Sequence, residues 1–584
     1  MSTRAAAQIA WLSAAILAAW VVGMQFRGYW TPDEPREADL SWRMSHQADK
    51  AVPLLAGEAF CEKPPFTYWI AGASMQRFGT SAWAARLPNL VYALATAIAV
   101  LLLARRGAGE VAGVAAAAAI STFLLAYQVA VWLATDAPLV AAVAVALLGL
   151  YIGFYAADRR GRLGGYTLMH AALAIGFLSK SAAAWMVPAL AFTTLVVWER
   201  RWREFLRWEF YAGAVIQALV IAIWVWFVYT GVDGVAHLKV FFWNNLVGRF
   251  TDVSAPTKLT YTAGHRNTPG KYLIELPVYL WPWTLLVAAA VRGAWRLRRC
   301  APDRMRAVRF AFACFVPTLV LLSLAATARN IYLAPALPGA ALLLGWWAGV
   351  GIDAHDPWDG RALRATAVLI LLACVLAAAA LALIGFDAWN SLGSRASFVA
   401  IGGFGIAAAA YLAVRAWAGT KRGRFQGALA ALLAAYCLLL IGPASQAYHQ
   451  VDRWHDLGAI GGEVKRDLGA APLVLVAPDE TTRAWVDLYT RTTVTRIPLP
   501  DQPSALERLR AVVADAPDSR FLVELPGRDW SPRILALAAK LGVHPAHSGT
   551  SAPPPWLAAA QLRIVRTYAL PYGRRYALLQ AADR

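Results

Sequence analysis

Long apolar runs alternate with short polar segments along the chain until about residue 445, where the alternation stops. The runs fall at 8–24, 84–104, 109–129, 136–156, 164–179, 182–198, 210–230, 273–291, 308–326, 331–349, 364–385, 397–416 and 425–443. Each approaches the roughly 20 residues that carry a helix across a hydrocarbon core, so the pattern predicts about thirteen transmembrane helices. With the N-terminus in the cytoplasm, the cytoplasmic segments hold Arg105 and Arg106; Arg159, Arg160 and Arg162; Arg200, Arg201, Arg203 and Arg207; the run from Arg292 to Arg309; Arg361 and Arg364; and the run from Arg415 to Arg424. The opposite short loops hold little beyond Lys180, Arg329 and Arg395. That asymmetry is the positive-inside pattern, and it sets the expected orientation.

Two segments on the outer side are long, about 25–83 and 231–272. In the first, residues 37–49 are expected to form a short amphipathic helix on the interface. In the second, Phe241-Phe242-Trp243 suits an interfacial aromatic belt. Beyond residue 445, short apolar strands at 473–477, 521–524 and 576–579 alternate with helical patterns at 457–468, 504–514 and 531–541. Residues 446–584 therefore read as a small α/β domain, and an odd number of spans places it on the outer, periplasmic side. The expected fold class is mainly α: a polytopic membrane domain over 1–445 with a C-terminal periplasmic α/β domain.

Composition narrows the class. A chain of 584 residues that is 59% hydrophobic and 15% charged, with mean hydropathy +0.48, is not a soluble enzyme. The net charge of +20 sits in clusters between apolar runs. It therefore marks cytoplasmic loops, anionic headgroups or a phosphorylated substrate, with no nucleic-acid partner expected. Cys61, Cys300, Cys314, Cys374 and Cys437 show no paired spacing, so neither a disulfide framework nor a zinc–thiolate site is expected. The first apolar run lacks a small-residue cleavage site before Gln25 and reads as an uncleaved span.

Against this background the stretch from Tyr29 to Met44 stands out, because it packs Asp33, Glu34, Arg36, Glu37 and Asp39 directly after a span. Charge is costly there unless a site uses it. Asp33 is either a solvated loop acid or, held by Trp30, Pro32 and Pro35, a general base towards a hydroxyl. Asp136, at the mouth of the fourth run, is either a helix N-cap or a second site carboxylate. Lys63, Arg36, Arg266 and Arg329 are outer-side cations that either snorkel to headgroups or converge on a phosphate. Glu62 and His265 offer a carboxylate and an imidazole to a divalent metal, a pairing that spacing alone leaves open. Lys180 is either a substrate contact or the charge that ends a helix, and the second reading is preferred.

Several of these motifs, in order, resemble one family. Trp30-Thr31-Pro32-Asp33-Glu34-Pro35-Arg36-Glu37-Ala38 resembles the first-loop signature of the GT-C membrane glycosyltransferases. The nearest group is the lipid A aminoarabinose transferases (ArnT-like), with the protein O-mannosyltransferases more distant. Glu62-Lys63-Pro64-Pro65 followed by Tyr68-Trp69 resembles that group's second signature. Phe241-Phe242-Trp243, Gly248-Arg249-Phe250 and His265-Arg266 resemble its long later loop more loosely. Asn330-Ile331-Tyr332-Leu333-Ala334-Pro335 resembles its tyrosine–proline motif, with Arg329 where the family usually has lysine.

The resemblance covers about residues 8–445 and implies inverting transfer of a sugar, hexosyl or pentosyl, from a polyprenyl-phosphate donor. The acceptor would be a lipid A-like lipid, a glycan or a protein at the periplasmic face of the bacterial inner membrane. It implies Asp33, Asp136 and Glu34 as catalytic acids, and Lys63, Arg36, Arg266 and Arg329 around the donor phosphate. Tyr332 and Tyr68 would line the carrier cavity. Glu62 and His265 would hold a divalent metal (zinc, or magnesium or manganese), with no other cofactor, in a monomer. Two other classes compete. A transporter or flippase of lipid-linked sugars predicts paired broken helices and repeat symmetry between halves, and the sequence shows neither. An envelope assembly protein would have no need of Asp33, Glu62 and Lys63.

Overall fold

The structure is a computed structural model that describes residues 3–582 apart from 246–267, 300–304, 326–328, 354, 390–391, 393, 493, 501–502, 528–531, 541–553 and 571–572. Among the described residues, nine helices are long and apolar enough to cross a membrane, and two bent pairs raise the number to as many as eleven. Every one of the thirteen predicted runs coincides with helix, but not every one is a straight span. Glu110–Thr122 and Leu124–Val131 meet at 65° across the extended backbone of Phe123, and Lys271–Tyr279 and Thr284–Leu297 meet at 108° beside Pro282. Ala183–Glu199 has only 17 residues, and Arg159–Lys180 opens on three arginines. The chain is a multi-pass membrane protein with a helical bundle at its core.

Packing sorts the helices. Asp136–Tyr155 and Asn330–Gly351 are 89% buried over their apolar windows, whereas Trp208–Thr230 is 22% buried and exposes Trp208, Tyr211, Trp226, Phe227 and Tyr229 while burying Trp224. The two central helices begin at the same end, so Asp136 and Arg329 enter one neighbourhood. Asp136–Tyr155 and Arg159–Lys180 cross at backbone contact, because Gly165 lies against Gly153 and Gly149 where any Cβ would collide. Small residues at such crossings let helix backbones approach closely.

The first long loop is not a surface helix from residue 37. The helix runs Asp33–His46 and is sunk between Phe66–Phe78 and the C-terminal domain, with Leu40 and Asp39 fully buried. It starts four residues earlier than expected because Pro32 and Pro35 fit a first turn, where no backbone N–H is needed. Its carboxylates Asp33 and Glu34 lie at the positive end of the helix dipole. A two-stranded ribbon, β1 (Leu54–Leu55) with β2 (Glu58–Ala59), caps the loop.

Beyond the last span the helix continues to Trp454. A five-stranded sheet follows, built from β3 (Leu473–Val476), β4 (Val494–Ile497), β5 (Arg520–Leu525), β6 (Leu562–Ala569) and β7 (Arg575–Ala581) in the order β4-β3-β5-β7-β6. β3 pairs in parallel with β4 and β5 (Leu473 opposite Val494 and Arg520), and β7 runs antiparallel between β5 and β6. Successive side chains of a strand face opposite sides. Leu473 and Leu475 accordingly pack on Trp485 and Val464, whereas Val474 and Val476 pack on Leu509 and Val513.

Candidate active site

The helix Asp33–His46 divides its acids by direction. Glu34 points into the bundle and is 0% exposed. Its Oε2 accepts from Arg27 (2.5 Å), Arg86 (2.6 Å) and the Trp30 amide (2.9 Å), and its Oε1 from Arg86 (2.8 Å) and the Leu133 amide (2.8 Å). Burial alone would raise this carboxyl, but Arg27 and Arg86 outweigh it and hold Glu34 below the usual carboxylate range. With both oxygens saturated, Glu34 fastens the loop to the bundle. Among the residues expected to react, Glu34 is thus the one whose contacts are all with the scaffold.

Asp33, one residue earlier, remains about one third exposed. Its Oδ1 lies 3.3 Å from Arg36 Nη2 and 3.5 Å from Arg329 Nη1. Arg36 reaches Glu37 Oε1 at 3.4 Å and Glu480 Oε2, from the C-terminal domain, at 2.9 Å. Burial would lower the Arg36 guanidinium, but Glu37, Glu62, Asp33 and Glu480 together hold it above its ordinary value. Glu37, nearly fully buried, also accepts from Lys63 Nζ at 2.7 Å. Burial pushes Glu37 up, and Lys63 and Arg36 more than reverse this. Asp33, Arg36, Glu37, Lys63, Arg329 and Glu480 thus form one connected array of charges.

A second group adjoins it. Lys180 Nζ donates to both oxygens of Asp136 (2.6 and 2.7 Å) and sits 4.9 Å from the centre of the Tyr332 ring. Lys180 does end its helix, but it is also the partner of Asp136. Asp136 begins its helix without capping it; the cap position is Thr135. Arg329 and Tyr332 belong to one turn, Asn330–Ala336 with Arg329 as its cap, and Tyr272 Oη donates to the Arg329 carbonyl at 2.5 Å. That turn joins the two groups.

Glu62 lies beside Arg36, Lys63 and Glu37, and its Oε1 is buried without a hydrogen-bond partner. Burial pushes its carboxyl up to about 7, against the pull of Arg36 and Lys63. A carboxyl raised above its ordinary 4.5 takes up a proton on folding, so its contribution to stability falls as pH rises from about 4.5 to about 7. Glu62→Gln is expected to flatten that part of the unfolding temperature against pH in chelator-treated buffer. An unchanged slope would show that Glu62 ionises like an exposed acid. The orphan oxygen suits a cation, but among the described residues no three His, Cys, Asp or Glu converge as metal ligands. His265 and Arg266, with Gly248-Arg249-Phe250, lie outside the described residues.

Tyr68 is fully buried, packed with Leu40, Met44, Phe60 and Ala484 behind the array. A separate apolar cavity of about 270 Å³ lies under the 108° bend, lined by Leu276, Leu280, Phe315 and Leu343 among others. Phe241 is buried against Trp224 rather than placed in a belt, while Trp243 is exposed. Asn245 donates to the Cys61 carbonyl at 2.6 Å, tying the start of the second long loop to the Glu62-Lys63 segment. Cys61, Cys314, Cys374 and Cys437 are buried and unbridged.

Arg27, Arg86 and Glu480 join this region without having been singled out in the sequence, and Glu37 had been noted only as part of its charge. Arg86 had a signal, since an arginine inside an apolar run calls for a buried counter-charge.

With this geometry in view, comparison with known proteins is specific. The family described as dolichyl-phosphate-mannose-protein mannosyltransferase matches residues 62–226. The undecaprenyl phosphate-alpha-4-amino-4-deoxy-L-arabinose arabinosyl transferase of Pseudomonas aeruginosa PAO1 is 30% identical over 364 residues, 62% of this chain and 63% of that one. The protein of the same name from Edwardsiella ictaluri is 27% identical over 365 residues, again 62% and 63%. The match therefore spans somewhat less than two thirds of these relatives' length. In structure, ArnT from Cupriavidus metallidurans bound to undecaprenyl phosphate superposes with a TM-score of 0.72 at 18% identity, over 98% of this chain and 97% of that one. Its apo state superposes at 0.70.

The fold is that of the GT-C superfamily of membrane glycosyltransferases. The fold shared with ArnT from Cupriavidus metallidurans extends through the C-terminal sheet.

Proposed function

We propose that the chain transfers a sugar, with inversion, from a polyprenyl-phosphate donor to an envelope acceptor at the periplasmic face of the bacterial inner membrane. The observation that carries this is the array around Asp33: a part-exposed carboxylate among Arg36, Arg329 and Lys63, at one end of an ArnT-like bundle. A departing polyprenyl phosphate needs cations to take up its developing charge more than it needs an acid. Lys63, Arg36, Arg329 and Arg266 are assigned to that phosphate. Asp33 accepts the proton of an acceptor hydroxyl, and Asp136, held by Lys180, closes the other side. Tyr332 faces the carrier. Glu62 with His265 would hold a divalent metal, which would add positive charge beside the phosphate.

The N-terminus is placed in the cytoplasm, and residues 446–584 are read as a periplasmic domain over the membrane domain 1–445. The arginine clusters between spans support this orientation. The acceptor classes are a lipid A-like lipid, a glycan or a protein.

The test is label transfer by purified protein in nanodiscs, from a panel of radiolabelled polyprenyl-phosphate sugars into an envelope extract. Transfer with one or more donors supports the proposal; binding of carrier without transfer from any donor contradicts it. Lys63→Ala is expected to raise the donor KM by about tenfold or more, since a charge-assisted hydrogen bond contributes about 1.5–3 kcal/mol. An unchanged KM would remove Lys63 from the phosphate site.

A further inference from the structure

We propose that Glu480, carried by the C-terminal domain, is a positioning residue of the site: it fixes the orientation of Arg36 and so keeps Asp33 free to react. This rests on the assignment of Asp33 and Arg36 just given.

The observations begin with how firmly Glu480 is held. It opens the helix Glu480–Thr490, whose N-cap Asp479 accepts from the Thr482 amide at 2.7 Å. Asp479 also pairs with Arg574, which pairs in turn with Glu524 on β5. One face of this helix belongs to the sheet, through Trp485 and Val486. The other lies along the helix Asp33–His46. Thr481 Oγ1 donates to the Pro32 carbonyl at 2.9 Å, Ala484 is buried with Leu40 and Met44, and Asp487 receives Arg43 at 2.7 and 2.5 Å. The first turn that carries Glu480 is thereby fixed against both the domain and the loop helix, with the Glu480 carboxylate itself 38% exposed.

Arg36 has a choice of carboxylates. The bond to Glu480 uses Nη1 and is the shortest at 2.9 Å; Nη2 is shared between Asp33 at 3.3 Å and Glu37 at 3.4 Å. The guanidinium is about one tenth exposed and so depends on these partners for its charge. Without Glu480 it would turn wholly onto Asp33 and Glu37. It would then tie up the carboxylate assigned as base and compete with Lys63 for Glu37. The C-terminal domain is in this sense part of the site.

The test compares full-length wild type, Glu480→Gln, Glu480→Ala, Arg36→Ala and the double variant Arg36→Ala/Glu480→Ala in nanodiscs. Arg566→Ala serves as control, an exposed pair in the same domain with Glu463 and Asp467. Glu480→Ala is expected to lower kcat by about 10- to 100-fold, as for loss of one hydrogen bond to a charged group, with donor KM within about threefold. Glu480→Gln should lose less, and Arg566→Ala nothing. The decisive expectation is non-additivity: the double variant should be no slower than Arg36→Ala alone. Additive losses, or wild-type kcat in Glu480→Ala, would overturn the proposal. Should wild type transfer no sugar from any donor, it is the proposed function that fails. The unfolding temperatures of the same variants then still report the contact, and additive shifts would refute it.

Discussion

Asp33→Asn is expected to lower kcat by about 10²- to 10⁴-fold, the range typical of a lost general base, with carrier binding retained. Asparagine keeps the size of the side chain and its place on the first turn, and removes the charge and the basicity. Asp33 is part exposed and its ion pairs at 3.3 and 3.5 Å are loose, so the protein should extract and unfold like wild type. The measurement is transfer at saturating donor, alongside binding of unlabelled polyprenyl phosphate. A loss below about tenfold would mean that the acceptor arrives already ionised, as a phosphate oxygen would, and that Asp33 orders Arg36 and Arg329 instead.

The largest effect on stability is expected one residue away. Glu34→Ala leaves Arg27 and Arg86, 2% and 0% exposed in their side chains, without their counter-charge. Removing one member of a buried ion pair typically costs about 3–5 kcal/mol. It also frees the Trp30 and Leu133 amides, so the loop loses its attachment to the bundle. The variant should aggregate on extraction or unfold many degrees lower, whereas Asp33→Asn does neither. Size-exclusion profiles and unfolding curves of the two variants side by side check this. A well-behaved Glu34→Ala protein with wild-type unfolding and no transfer would return Glu34 to the reacting groups.

These neighbours show what a linear reading resolves and what it does not. The charge density after the first span marked the region, because such charge is costly at a membrane edge unless it is used. Which acid faces the bundle and which the site depends on a helix starting at Asp33, where consecutive side chains diverge by about 100°. The prolines at 32 and 35 were read as stiffening a loop, yet they are equally at home in a first helical turn. The spans were legible from apolar length. The break at Phe123 was not, since a bent helix is as apolar as a straight one, whereas Pro282 inside the run 273–291 was an available signal for the other.

In the tail, the strands at 473–476 and 575–581 follow from short apolar runs, and β6 does not, because as an edge strand it exposes Arg563 to Thr567. The helix Glu480–Thr490 went unread because its threonines are weak helix formers. Asp479, three residues before Thr482, was an available start signal. That helix matters most, since it brings Glu480 to Arg36. No local pattern could announce a contact across 444 residues of chain.

The most direct measurement is product stoichiometry in proteoliposomes. The donor is a polyprenyl-phosphate sugar labelled in both sugar and phosphate, presented with acceptor extract. Transfer predicts that each sugar reaching the acceptor leaves one free polyprenyl phosphate, and that Asp33→Asn stops both together. Donor that stays intact, or that changes leaflet intact and equally well in both proteins, would contradict the account and identify a carrier of lipid-linked sugars instead.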